Sequence, residues 1–291
     1  MSTTVTLTGT GVPHPSPGRA GPGVLVRVGD EVALQFDAGR GTVMRLSEAH
    51  MDPADLSAVF VTHVHSDHVA DLADLAITHW VLQQFEERGP LEIVVPEGAA
   101  ERFVRHMLDP YADDIAVRMA HAQPDPPEIR ITTFSAPVEP TEVWRSNDGH
   151  VTVEAVAVHH EPVLDAVAYR ITTPDGVVVV SGDTRVCVEV ERLSRGADIV
   201  VHEACRASAL REVIQGTRFE PIFDYHADTV GLGGLAERAG IRHLVLTHMI
   251  PAPEDPEQEV GYVDDVRKGG FTGKVTVGAD LMTFDIESAR T

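Results

Sequence analysis

Residues 62–71 read Thr-His-Val-His-Ser-Asp-His-Val-Ala-Asp, which sets His63, His65, Asp67 and His68 within six positions. The preceding run, 56–61, ends in Val59, Phe60 and Val61 and reads as a buried strand. The chain then loops through Ser66 towards a helix, so these side chains stand at a strand's carboxyl end. Neutral imidazole and carboxylate oxygen suit zinc or a similar first-row metal, and catalytic sites of this kind keep a position open for water. His63 and His65 can hold one ion and Asp67 with His68 another, so the spacing predicts two metals. Chance clustering of surface histidines would need several independent coincidences.

His63-x-His65-x-Asp67-His68 resembles the signature of the metallo-β-lactamase-fold hydrolases. Leu7-Thr-Gly-Thr-Gly11 and Phe36-Asp-Ala-Gly-Arg-Gly41 resemble the ribonuclease Z and arylsulfatase-like branch of that family, and the resemblance runs over residues 5–286. It implies an α/β fold, a four-layer αβ/βα sandwich of two mixed sheets with helices outside, and three further ligands. Period-two alternation over 151–158 marks a strand ending at the pair His159–His160, of which one should bind. His160 precedes Glu-Pro-Val as this branch arranges it and is preferred to His159. Asp183 follows a buried strand and a Gly turn in Val-Val-Val-Val-Ser-Gly-Asp-Thr, where its two oxygens can bridge both ions. The plainer reading is a turn aspartate bonding its own backbone. His248 closes the apolar run Leu-Val-Leu-Thr-His, where the plainer reading is a satisfied core histidine.

The resemblance thus implies His63, His65 and His160 on one metal and Asp67, His68 and His248 on the other, with Asp183 and a hydroxide shared. The expected cofactors are two Zn²⁺, with Mn²⁺ or Fe²⁺ as alternatives. Asp67 also belongs to the expected catalytic set, with Glu203 and His226. Glu203 stands in a His-Glu-Ala motif similar to one of this branch, and His226 lies just before a helical pattern at 230–239. The reading makes His226 the donor to substrate or leaving group and Glu203 the residue that orients it. A loop histidine beside an Asp228 or Thr229 cap, and a solvated acid, are the bland alternatives.

Charge sets the second expectation. The 291 residues carry a formal net charge of −22 and only two lysines, Lys268 and Lys274. RNA binding draws on Lys and Arg neutralising phosphates, and no basic arm interrupts the chain; 121–142 is Pro-rich and acidic instead. Nucleic acid is therefore not expected as a partner. A small anionic substrate is compatible, because bound dications dominate the local field. The expected function is a di-zinc hydrolase of a small ester, phosphodiester or aryl sulfate first. A lactonase or thioesterase of the same fold is the nearest alternative, followed by ribonuclease Z-like RNA processing, which the charge disfavours, and a non-enzymatic metal-binding module.

The remaining features are quieter. No apolar run approaches the ~20 residues of a membrane span and no secretory signal is seen, so a cytoplasmic protein with reduced Cys187 and Cys205 is expected. Strands are expected at 5–8, 24–28, 32–36, 91–95, 151–158, 166–172, 177–180, 199–202, 244–246 and 275–284, and helices at 72–87, 99–108, 188–193 and 230–239. They compose one domain, 1–291, with 88–150 as an insertion between two similar halves. The Pro- and Gly-rich loop 11–23 offers His14 and Arg19 to substrate, although such loops usually only connect. Trp80, Trp144 and Tyr169 read as core. A homodimer is expected from the resemblance alone.

Overall fold

Alternation of Val, Leu and Thr drives Thr3–Gly9 (β1), Gly23–Val28 (β2) and Val32–Phe36 (β3) into an antiparallel meander. Gly29, at φ 58°, makes the turn between β2 and β3. The computed structural model describes residues 2–83, 89–122 and 125–286. The chain continues through Thr42–Glu48 (α1), Ala58–Phe60 (β4), Ser66–Val69 (α2), Leu72–Leu82 (α3), Leu91–Pro96 (β5), Ala99–His106 (α4), Ala112–His121 (α5) and Ile129–Phe134 (β6). Strands β3 to β6 run parallel to one another.

The second half supplies Thr141–Arg145 (β7), Thr152–Ala157 (β8), Val167–Thr173 (β9), Gly176–Val180 (β10), Val188–Leu193 (α6), Ile199–Cys205 (β11), Ala207–Ile214 (α7), Ile222–Tyr225 (α8), Thr229–Ala239 (α9), His243–Ile250 (β12), Pro256–Lys268 (α10) and Lys274–Val277 (β13). The last strand, Thr283–Asp285 (β14), returns to the first half. Two seven-stranded sheets result, ordered β14-β1-β2-β3-β4-β5-β6 and β13-β12-β11-β10-β9-β8-β7. This is the expected α/β sandwich of mixed sheets. Among the described residues, no helix is long and apolar enough to cross a membrane.

The inner faces meet in a core of Leu34, Phe36, Phe60, Val153, Tyr169 and Val201, among others. Phe36 and Phe60 stack with centroids 4.7 Å apart, and Tyr169 meets Phe60 at 5.4 Å from the opposite sheet. The Tyr169 hydroxyl donates to the Val61 carbonyl at 2.7 Å, and the Val167 amide donates to Thr62 at 3.0 Å. Both bonds tie the second sheet to the segment immediately before His63. Outside, Leu46, Leu72, Leu75 and Val104 of α1, α3 and α4 cover one sheet, while Val190, Leu232, Leu235 and Val266 of α6, α9 and α10 cover the other.

The expected single strand 275–284 is two strands in different sheets. The turn between them puts Leu281 at φ 66°, and a Cβ on Gly278 would stand 2.5 Å from the Leu246 carbonyl. Apolar alternation is blind to a change of sheet. Asp280, in that turn, accepts from the Thr10 and Ala20 amides at 3.0 and 2.6 Å and from Arg45 at 3.0 Å, pinning the Pro- and Gly-rich loop. As far as they are described, residues 88–150 supply β5 and β6 at one sheet's edge and β7 at the other's. The end of the helix expected at 72–87 lies outside the described residues beyond 83, as do 123 and 124 of the acidic stretch.

Tyr169→Phe is expected to lower stability by about 1–3 kcal/mol, because the buried Val61 carbonyl loses its donor. A shifted urea midpoint at constant m-value checks this; an unchanged midpoint would mean the bond contributes nothing.

Candidate metal centre

Each chemically active side chain leaves a strand at the same end of the sandwich. His63 follows β4, and the helical turn α2 starts at Ser66, so Asp67 and His68 swing back beside it. Asp183 follows β10 through Gly182, whose φ is 59° and whose Cβ would meet Thr62 Cβ and the Val167 carbonyl, both at 2.9 Å. Only glycine fits that turn. His248 sits in a bulge of β12, where Thr247 opposes Glu203 and Met249 opposes Ala204. At φ 43° it is left-handed, and the bulge turns its ring inward.

The donor atoms converge. His63 Nε2 and His160 Nε2 lie 3.0 and 3.1 Å from His65 Nδ1, and Asp183 Oδ2 is 3.9 and 3.8 Å from the first two. His248 Nε2 stands 3.2 Å from Asp67 Oδ2 and 3.3 Å from Asp183 Oδ2, with His68 Nε2 3.7 Å from Asp67 Oδ2. Asp183 therefore faces two groups, one of His63, His65, His160 and Asp183, the other of Asp67, His68 and His248, and it also forms a third with His226 and His248. His159, the alternative to His160, points away towards Glu161 and Glu189, 3.3 Å from each.

Hydrogen bonds behind the rings determine which nitrogen is bare. His160 Nδ1 donates to the Tyr225 carbonyl at 3.0 Å, and His68 Nδ1 donates to Asp37 Oδ2 at 2.8 Å. Thr62 gives its hydroxyl proton to Asp37, so its oxygen accepts from His63 Nδ1 at 3.0 Å. All three Nε2 atoms are then left facing inward. His68 Nε2 and Asp183 Oδ1 are 3.3 Å apart yet misaligned, and each is buried without a hydrogen-bond partner. A proton on His68 or a cation between them relieves this contact, and the further nitrogen and carboxylate donors facing the same space make the set suit a divalent metal.

The electrostatics divide the rings: burial lowers His68, but the charges of Asp183 and Asp37 outweigh it and raise it well above the usual imidazole range, so this ring carries a proton that a metal would displace. Burial, then the neighbouring His68, holds His63 well below the usual imidazole range; burial likewise lowers His65 and His160. These rings stay neutral, the form that ligates metal. Burial raises Asp183, but His248, His68 and His63 outweigh it and hold the carboxylate well below its ordinary range. Burial is also outweighed at Asp67, chiefly by the His248 hydrogen bond.

Glu203 and His226 join the cluster. His226 Nδ1 donates to Glu203 Oε1 at 2.9 Å, and its ring lies 5.1 Å from that of His160 and 5.6 Å from that of His248. Burial lowers the pKa of His226, yet the Glu203 charge and hydrogen bond push it up to about 9. The helix cap beside it is Asp228, which accepts from Gly231. His14 is exposed, while Arg19 is spent on Thr10 Oγ1 and the Gly278 carbonyl, at 2.7 and 3.0 Å. The sequence reading overlooked Asp37 and Thr62. The signal was present in Phe36-Asp-Ala-Gly, an acid closing an apolar strand as His63, Asp183 and His248 do.

The description beta-lactamase superfamily domain matches residues 34–249. The chain belongs to this superfamily. It is a hydrolase, and its His/Asp clusters suit a divalent metal. Ribonuclease Z of Mycobacterium bovis is 36% identical over 288 residues, covering 98% of this chain and 99% of that relative. The metallo-beta-lactamase fold protein YhfI from Bacillus subtilis superposes with a TM-score of 0.74 at 20% identity, covering 98% of this chain and 100% of that one. The short form of human tRNase Z does so with a TM-score of 0.69 at 20% identity, covering 97% and 99%. These two structures speak to the fold, which is the expected metallo-β-lactamase fold.

One expectation is corrected here. Nucleic acid was set aside on net charge, and a full-length relative named ribonuclease Z overturns that exclusion. Net charge sums every surface of the molecule, whereas binding depends on the field at one mouth, where bound dications dominate.

Asp37→Ala is expected to weaken divalent-metal affinity about 10–100-fold, because His68 loses the partner that orients it. Zinc titration by calorimetry measures this, and wild-type affinity would remove Asp37 from the support of the centre.

Proposed function

We propose that this hydrolase is a metal-dependent phosphodiesterase that cleaves RNA, in the manner its ribonuclease Z relatives are named for. The observation that carries the reading is the meeting of two donor groups on Asp183, within a chain matched end to end by such relatives. The comparisons favour it over the aryl sulfate and small-ester readings, which none of these relatives' names supports.

The seven residues His63, His65, Asp67, His68, His160, Asp183 and His248 would hold the metal, in our reading two zinc ions. When bound, such a pair lowers the pKa of a shared water and neutralises phosphate charge. The chain's own contribution is orientation and proton handling. Asp183 faces both donor groups and keeps their spacing. Asp67, within hydrogen-bond reach of His248, positions the attacking water. His226 donates to the leaving oxygen, and Glu203 fixes its tautomer through the Nδ1 hydrogen bond. We take residues 1–291 to work as a single domain.

Asp183→Ala is expected to lose metal and at least about a thousandfold in rate, because one carboxylate serves both groups. Metal analysis alongside cleavage of a transfer-RNA transcript and a chromogenic phosphodiester measures it, and full occupancy with retained turnover would remove Asp183 from the centre. Hydrolysis of a lactone or aryl sulfate, with neither phosphodiester cut, would overturn the proposed substrate class.

His226→Ala should keep its metal and lose about 10²–10⁴ in turnover, the usual contribution of a proton donor. Metal lost together with turnover would make His226 a ligand instead.

A further inference from the structure

Between Cys205 and His226 the chain leaves the sandwich and returns. Both ends are tied down. The Cys205 amide donates to the Ala227 carbonyl at 2.7 Å, and Arg206 Nε donates to buried Asp265 at 3.0 Å. What lies between, α7, α8 and the turn joining them, is largely solvent-exposed, with Val213 of α7 at 73% and Phe219 of the turn at 55%. Ala207 is the one residue of these helices that is buried. A segment that leaves Val213 and Phe219 exposed, and Leu210, Ile214, Ile222 and Phe223 only half-buried, offers apolar surface to a partner.

Its chemistry points to one kind of partner. Arg211 lies over the Phe223 ring at 5.3 Å and Arg218 over the Phe219 ring at 4.9 Å. Each pair joins a flat π surface to a guanidinium, the combination on which single-stranded nucleic acid stacks its bases and rests its phosphates. With Arg206 engaged by Asp265, Arg211 and Arg218 face Glu212, Glu220 and Asp224 over residues 207–225, so the arm is close to neutral on a chain of net charge −22. Glu220 is also turned back onto the Gly216 amide at 2.8 Å. The arm runs directly into the centre: the Tyr225 carbonyl holds His160, and the Tyr225 ring lies 5.0 Å from that of His226.

We propose that this arm, through Arg211, Arg218, Phe219 and Phe223, grips single-stranded RNA next to the scissile phosphate. The proposal rests on the ribonuclease reading. A strand stacked on Phe219 and Phe223 is led past Tyr225 to His226, so the arm adds to RNA affinity and contributes nothing to a substrate too short to reach it.

The test compares the metal-loaded wild type with a variant carrying Arg218→Ala and Phe219→Ala, both exposed positions outside the metal centre. KM for single-stranded RNA is expected to rise about tenfold, the effect of one lost base stack, with kcat and the turnover of bis(4-nitrophenyl) phosphate unchanged. Phe219→Tyr, which keeps the ring, should retain wild-type KM. An unchanged RNA KM in the double variant overturns the proposal, as does an equal fall on both substrates. A change of oligomeric state by light scattering also overturns it, since the face would then be a subunit contact. Wild type that turns over the chromogenic ester but cuts no RNA overturns the ribonuclease reading itself.

Discussion

His65 Nδ1 stands 3.0 and 3.1 Å from His63 Nε2 and His160 Nε2 and can share one proton with only one of them, so the architecture crowds nitrogen donors that a cation satisfies together. A loop alone would let the rings splay into water. Here the donors stand on strand ends of both sheets, and the bonds from Tyr169 to Val61 and from Val167 to Thr62 lock the sheets together directly beneath them. The aromatic packing of Phe36, Phe60 and Tyr169 makes that floor stiff.

The two sheets divide the work. The first supplies His63, His65, Asp67 and His68 together with Asp37, which steadies them from behind. The second supplies His160, Asp183, Glu203 and His248. Backbone strain collects where these contributions meet. Asp37 and His248 are both left-handed, at φ 56° and 43°, a conformation that costs about 1–3 kcal/mol for a residue with a side chain. The surrounding core holds both in place, and the strain is the cost of aiming their side chains inward from strands whose regular pleat would aim them elsewhere.

The acidity of the chain acquires a different meaning in this setting. Read as a whole it argues against RNA, yet charge is not shared evenly over a surface. The arm between Arg206 and Tyr225 is close to neutral, and it leads to a cluster suited to cations. The field a phosphate meets is set by that neighbourhood, since charges beyond about 10 Å are largely screened at ordinary salt.

Much of this was legible in residue order. Strand-end histidines and aspartates announce themselves by closing apolar runs, so the candidate donors that the fold brings together and most strands could be read directly, because hydrophobic periodicity and ligand chemistry are local properties. Asp37 could have been found by the same rule. Other features have no local trace. Whether His159 or His160 turns inward depends on the Tyr225 carbonyl, 65 positions away. That 275–284 divides between two sheets depends on packing at Gly278, and the inward turn of His248 depends on a bulge against β11. Local sequence determined which atoms are available to a metal. Tertiary structure alone decided which lone pairs are bare and where they point, because a histidine's tautomer and direction are set by partners that only folding brings alongside.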